Sequence, residues 1–306
     1  MSMSTVFSDK AQTVNTEKIQ EEVSQASQGR TIGDIIRDAR SLSAAEVEKV
    51  LAYQREKGVR FGEAAVALGL ASEDDVLSAL AKQFHYPMAS AERKLSSPEL
   101  VTLNQPFSVQ AEAIRAARSQ VTMRLHGATQ DQTCSAVAII SPEHGDGKTY
   151  FAANLAVSLA QLGGRTLLVD ADLRSPRQHE VFCVSNAAGL SNVLSGRAEA
   201  QVIQAVEGVA GLFVLPGGSI PPNPLELIER PAYALLMREL CSKFDNVIVD
   251  TAAASNGADA CVVAAKCGSA IVIARKNTCK YESLQDLIAS LAGSSVNILG
   301  AVMNEY

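Results

Sequence analysis

Basic charge is in short supply in this chain: 27 Lys and Arg stand against 33 Asp and Glu, a formal net charge of -6 at pH 7. A nucleic-acid or anionic-membrane surface needs a dominant basic patch, so neither is expected as a partner; nucleotide and protein are. Long apolar runs are missing too. No window approaches the roughly 18 residues of a membrane span, so a membrane role requires a partner. The start "MSMSTVFSDKAQTVNTEK" has no basic end followed by an apolar block and does not read as a signal peptide. Paired cysteines are absent as well. Cys134, Cys183, Cys241, Cys261, Cys267 and Cys279 stand singly in or beside apolar runs, with no C-x-x-C and no His at ligand spacing. They read as reduced core residues of a cytosolic protein.

What is present suffices for one full core and a second small one: 306 residues, 47% of them hydrophobic. Residues 1–28 are polar and lack a sustained apolar face, which predicts a disordered leader. Residues 29–90 carry an internal repeat. "TIGDIIRDARSLSAAEVEKVLAYQ" (31–54) superposes on "RFGEAAVALGLASEDDVLSALAKQ" (60–83) at an offset of 29, with Gly33 on Gly62, Ser43 on Ser72, Val47 on Val76 and Leu51 on Leu80. In each copy a Gly is expected to precede a short helix. A Ser then caps a second helix with acids in its first turn, Glu46 in one copy and Glu73, Asp74 and Asp75 in the other. Pro87, in "QFHYPMAS", closes this mainly helical block. Residues 91–109, with Pro98 and Pro106, read as a linker to a second domain at 110–306.

The repeat block resembles the N-terminal domain of type II secretion and pilus ATPases, one branch of which binds cyclic di-GMP. That resemblance implies Arg60, Gly62, Gly69 and Gln83 as candidate dinucleotide contacts. The first copy has Thr31 and Arg40 where the pattern has Arg and Gly, so a protein-docking or packing module is the other reading.

From "CSAVAIIS" onward, short Val- and Ile-rich runs alternate with helical ones. Runs without polar alternation are buried on both faces, which predicts an α/β fold, a mostly parallel sheet flanked by helices. "SPEHGDGKTYF" (141–151) follows the first run and opens a helix, the context a phosphate loop requires. Gly145, Asp146 and Gly147 turn backbone N–H groups toward phosphate oxygens at a helix N-terminus, Lys148 reaches the terminal phosphates, Thr149 holds Mg²⁺, and Tyr150 follows in the helix. Where the common pattern has its first Gly, this chain has Pro142. "LLVDADLRSPR" (167–177) puts Asp170 and Asp172 at the end of the next strand, where ligands of parallel sheets bind, and Asp250 ends "NVIVD". Together the three acids read as a metal and catalytic set.

The order of the phosphate loop, "LLVDADLRSP", "GLSNVLSG" (189–196), "LPGGSIPPNPLELI" (215–228) and "FDNVIVD" (244–250) resembles the bacterial tyrosine kinases, over residues 107–304. With its front end the chain looks most similar to the EpsG-type chain length determinant protein tyrosine kinases of exopolysaccharide clusters. The resemblance implies a P-loop NTPase fold and ATP with Mg²⁺ as cofactors. It implies Asp170 as the base that takes the tyrosine proton, Asp172 and Asp250 as metal holders directly or through water, and Lys148 on the phosphates. Glu112, Arg115 and Arg118 in "EAIRAARS" (112–119) match the family's E-x-x-R-x-x-R motif, an oligomer interface; a solvated helix face is the other reading. Implied partners are the cytosolic tail of a membrane polysaccharide co-polymerase as activator, a cognate tyrosine phosphatase and further copies of the chain. The protein is then expected to be cytoplasmic and peripheral to the inner membrane through that partner.

Two departures from the family stand out. Its usual C-terminal tyrosine cluster is reduced to Tyr306, the candidate phosphosite, and the residues after "DT" are Ala252 and Ala253 in place of prolines, which predicts a softer loop. The competing reading is a switch of the chromosome-partitioning and division-site ATPase type, or a non-catalytic assembly factor. The first class carries an additional lysine early in its phosphate loop, where this chain has Pro142.

Overall fold

The computed structural model of the chain describes residues 31–83, 97–127, 136–197 and 201–305. These residues divide into two compact units, 31–83 and 97–305. The leader, the segment 84–96, Cys134 and Tyr306 lie outside them.

The first unit is four helices: α1 (Ile32–Arg40), α2 (Ala44–Lys57), α3 (Phe61–Ala67) and α4 (Glu73–Gln83). The predicted serine caps are present. Ser43 exchanges hydrogen bonds with Glu46, and Ser72 with Asp75, each satisfying a backbone N–H that the helix leaves unpaired. The glycines do not precede their helices; Gly33 and Gly62 lie inside the first turn, because the capping pair Thr31–Asp34 and the Arg60–Glu63 bond begin the helices earlier. A Cβ at Gly62 would lie 2.6 Å from a Val76 methyl, so the absence of a side chain lets α3 and α4 pack closely. Ile36, Val50, Ala64, Ala65 and Ala79 form the core. Arg40, which stands where the second copy has Gly69, ion-pairs with Asp75 at 2.5 Å and locks the first copy to the cap of the last helix.

The second unit begins with α5 (Val101–Asn104) and α6 (Val109–Gly127). The stretch read as a linker is therefore ordered from Ser97 onward: Leu100, Val101 and Leu103 are buried in the core of this unit. Its α/β body follows as β1 (Ala136–Ile140), α7 (Lys148–Ala160), β2 (Thr166–Asp170), α8 (Gln178–Val181), α9 (Leu190–Leu194), β3 (Gln204–Ala205), β4 (Leu212–Leu215), α10 (Pro224–Glu229), α11 (Pro231–Lys243), β5 (Asn246–Asp250), α12 (Asp259–Cys267), β6 (Ser269–Arg275), α13 (Tyr281–Ala292) and β7 (Asn297–Asn304). The strands form one sheet in the order β3-β4-β2-β5-β1-β6-β7, parallel except for the short β3.

Strand residues alternate between two cores, as a period of two requires. Ala136, Ala138 and Ile140 join the core under α11, α12 and α13; Val137 and Ile139 join the one under α7. A parallel sheet so wrapped sends every strand end and the following loop to one rim, which is where the predicted site residues lie.

The cysteine reading is corrected in part. Cys183, Cys261, Cys267 and Cys279 are free thiols, but Cys183 is exposed rather than in the core. Cys241 is disulfide-bonded rather than reduced.

Candidate active site

Gly145 and Gly147 take φ of +84° and +100°, left-handed conformations that a side chain would strain, and they bend the phosphate loop into the N-terminus of α7. The Asp146 carboxylate folds back to accept the Glu143 N–H at 2.9 Å and shapes the loop from within. Lys148, buried, donates to Ser141 Oγ at 2.9 Å. Burial lowers the Lys148 pKa, while the charges of Asp250, Asp172 and Asp146 oppose that shift.

The three predicted acids sit where the sheet register puts them. Asp170 and Asp250 are paired neighbours at the ends of β2 and β5. Asp170 Oδ2 accepts the backbone N–H groups of Arg177 (3.0 Å) and Gln178 (2.9 Å). Asp250 Oδ2 accepts Gln178 Nε2 at 2.8 Å, and the carboxylate also bonds the Thr149 side chain. Asp172 Oδ1 accepts the N–H groups of Arg174 (3.1 Å) and Ser175 (2.9 Å). Burial, reinforced by the Asp250 charge, holds the Asp170 carboxyl well above the usual carboxylate range. Burial likewise raises Asp250 to about 6 against the hydrogen bond from Gln178 and the charge of Lys148.

One oxygen of each inner carboxylate, Asp170 Oδ1 and Asp250 Oδ1, is buried without a hydrogen-bond partner, as is Gln178 Oε1. Buried acceptors left open at a phosphate loop fit a hydrated cation. The acids do not, however, make a self-sufficient metal site: among the described residues no group of three or more His, Cys, Asp or Glu side chains could hold an ion alone. An ion here depends on Thr149 and phosphate oxygens for the rest of its shell, the usual manner of Mg²⁺.

Several residues at this rim were not found from the sequence. Gln178 is fully buried between both carboxylates. Asp259 holds the Arg174 guanidinium at 2.9 Å, and the Arg174 backbone N–H bonds Asp172. Asn304, at the end of β7, donates to the Asp146 carbonyl at 3.0 Å and packs against Gly147. A cavity of about 260 Å³, lined by Arg174 and residues 222–226, opens beside Arg174. The motif "GLSNVLSG" supports the rim from outside: the N–H groups of Leu190 and Ser191 donate to the carbonyls of Pro216 and Gly217.

The loop after Asp250 is not soft. Ala252 and Ala253 are each 1% exposed, and the N–H groups of Ala254 and Ser255 donate to the carbonyls of Ser141 and Pro142, stitching this loop to the phosphate loop.

The E-x-x-R-x-x-R residues all lie on α6. Arg115 bonds Glu112 (2.9 Å) and the Pro106 carbonyl, and Arg118 bonds the Ser158 carbonyl of α7 at 2.9 Å. Glu112 is the exposed member, at 72%. In the first unit, Arg60 and Gly69 stand at opposite ends of α3, Gln83 ends α4, and Gly62 is occupied by Val76.

The phosphate loop, the strand-end carboxylates and the parallel sheet define a nucleotide-binding domain, and the chain belongs to the CobQ/CobB/MinD/ParA nucleotide binding domain family, whose sequence profile matches residues 137–306. Within it, the chain is one of the bacterial tyrosine kinases. It is 33% identical over 205 residues to the tyrosine-protein kinase YwqD of Bacillus subtilis (strain 168), covering 67% of this chain and 85% of that one. It is 34% identical over 206 residues to the tyrosine-protein kinase etk of Escherichia coli (strain K12), of which it spans 28%. Among solved structures, the kinase domain of E. coli tyrosine kinase ETK matches with a TM-score of 0.64 at 32% identity, over 71% of this chain and 84% of that one. The chimerical protein CapA2B2 matches with a TM-score of 0.63 at 30% identity, over 75% and 98%.

Proposed function

We propose that the chain is an ATP-dependent protein-tyrosine kinase, acting on copies of itself or on a partner, that serves exopolysaccharide polymerisation and export beside the inner membrane. One observation carries this reading: the phosphate loop and two buried strand-end carboxylates converge, each carboxylate with one oxygen fixed and one open. Kinship at 33–34% identity to tyrosine-protein kinases supports the choice of acceptor.

Mg²⁺, held by Thr149 and by Asp250 and Asp172 directly or through water, supplies charge neutralisation at the phosphates. The chain's own residues do the rest. The loop N–H groups and Lys148, which leaves Ser141 for the phosphates, hold the polyphosphate in place. Asp170 Oδ1 takes the proton of the tyrosine hydroxyl as its oxygen bonds the γ-phosphorus, the bond from that phosphorus to the β-phosphate oxygen breaks, and ADP leaves. A tyrosine pKa near 10 makes the hydroxyl a poor nucleophile, so a carboxylate base beside the transferred phosphate is required.

Tyr306 remains the proposed acceptor. Among the described residues Tyr281 is 72% exposed whereas Tyr233 is fully buried, so a phosphosite map must weigh Tyr281 beside Tyr306. The activator is read as the cytosolic tail of a membrane co-polymerase. Among the described residues no helix is long and apolar enough to cross a membrane. The first unit is read as a docking module, since packing occupies Gly62.

The test incubates the purified chain with Mg·ATP, with and without that tail, and maps phosphotyrosine, with Lys148→Ala as control. Phosphotyrosine that requires Lys148 is the expected result. Nucleotide binding or turnover with no phosphotyrosine on either chain replaces the reading with a nucleotide-gated assembly switch.

A further inference from the structure

Gln178 is the first residue of a four-residue helix and meets both inner carboxylates, one through its backbone N–H and the other through its side chain. Its backbone N–H reaches Asp170 Oδ2 at 2.9 Å, and its side-chain Nε2 reaches Asp250 Oδ2 at 2.8 Å and the Thr149 carbonyl at 3.2 Å. The amide orientation is fixed by chemistry. A carboxylate and a carbonyl can both only accept, so the nitrogen must face them and Oε1 must face away. Oε1 is then a third buried oxygen without a partner, beside Asp170 Oδ1 and Asp250 Oδ1.

A buried glutamine that merely satisfied itself would not leave its oxygen open in a fully enclosed place. Nor would a charged donor serve here. Lys or Arg would hold Asp250 as firmly but cancel the negative charge that a cation needs, whereas an amide orients that carboxylate and leaves its charge intact. The same side chain joins the end of β5 to the first turn of α7, where Thr149 sits. We infer that Gln178 is a positioning residue that couples divalent-cation binding to nucleotide binding: its side-chain amide holds Asp250 Oδ2, which leaves Asp250 Oδ1 free for Mg²⁺ and its coordinated waters, and fixes that carboxylate relative to Thr149. This rests on the reading of the rim as a Mg·nucleotide site.

The full-length protein is titrated with a fluorescent ADP analogue in EDTA and in Mg²⁺, and Mg²⁺ is then titrated at fixed nucleotide. Partners that orient metal ligands typically account for 10–100-fold in metal affinity. Gln178→Met, of similar length without the amide, is expected to raise the half-saturating Mg²⁺ concentration about 10–100-fold while leaving affinity in EDTA within about twofold. Gln178→Glu separates donor from charge: it adds a negative charge but loses the donor to Asp250, and is expected to weaken Mg²⁺ coupling as well. Tighter Mg²⁺ binding by Gln178→Glu overturns the inference. So does a Gln178→Met protein that melts earlier but keeps the parent's Mg²⁺ dependence, for Gln178 would then be packing alone. A parent that gains nothing from Mg²⁺ overturns the metal-site reading and this inference together.

Discussion

Asp170 and Asp250 end neighbouring strands and are fully or almost fully buried; burial raises both carboxyls, and the Asp250 charge makes ionisation of Asp170 harder still. The folded-state pKa of Asp250, about 6, lies above its ordinary value. Its contribution to stability is therefore full below about pH 4 and is lost as pH rises through the folded value. The metal-free protein is expected to lose thermal stability between pH 5 and pH 8, as melts in chelator would show. Asp250→Asn removes the buried charge; it is expected to stabilise the metal-free protein by about 1–3 kcal/mol at pH 8 and to abolish phosphotyrosine formation. A destabilised Asp250→Asn protein would mean that the carboxylate is satisfied in the free state, contrary to its open Oδ1.

At the scale of elements, α5 and the residues before it strap the phosphate-loop helix. Asn154, fully buried in α7, accepts the Thr102 N–H at 3.1 Å and donates to the Glu99 carbonyl at 2.8 Å, while the Glu99 side chain pairs with Arg177 at 2.5 Å. Asn154→Ala strands these groups and is expected to cost about 1–3 kcal/mol in denaturant unfolding. In the helical unit, burial pushes the Asp75 carboxyl up, but hydrogen bonds from Arg40 and Ser72 outweigh it and bring it down to about 2. This contribution is present above about pH 4 and lost as pH falls toward 2. Arg40 is half exposed and solvent screens its pair, so Arg40→Ala is expected to lower the urea midpoint at pH 7 only slightly.

What could be read from the sequence divides along the same lines. The strands were legible because both their faces are buried, and the acids because strand ends are where parallel sheets bind ligands. Gln178 and Asn304 were not: each meets its partners through contacts 72 and 158 residues apart along the chain, which no local pattern records. The helix starts at Gly33 and Gly62 were misplaced by weighting the glycines above Thr31–Asp34, a capping pair that was there to be read. The strap reads as a linker from its prolines, yet Leu100, Val101 and Leu103 bury it in the core, a contact with distant helices that the local pattern does not record.

At the scale of the whole molecule, each unit has its own core: Ile36 and Val50 in one, the two faces of the sheet in the other. Ile36→Ala is expected to destabilise the helical unit by about 2–5 kcal/mol and to leave affinity for the ADP analogue within about twofold. A large loss of nucleotide affinity would show the two cores to be energetically coupled.

The strand that closes the sheet also touches the place where the chemistry begins. Asn304 holds the Asp146 carbonyl, its own carbonyl takes the Lys276 N–H at 2.8 Å, and Lys276 pairs with Glu305. The phosphate loop and the last described residues are thus one mechanical piece. Strain applied after Glu305 must be felt by the bound nucleotide, and by reciprocity the nucleotide must stiffen that end of the chain. Anything attached there acts as a lever on the loop.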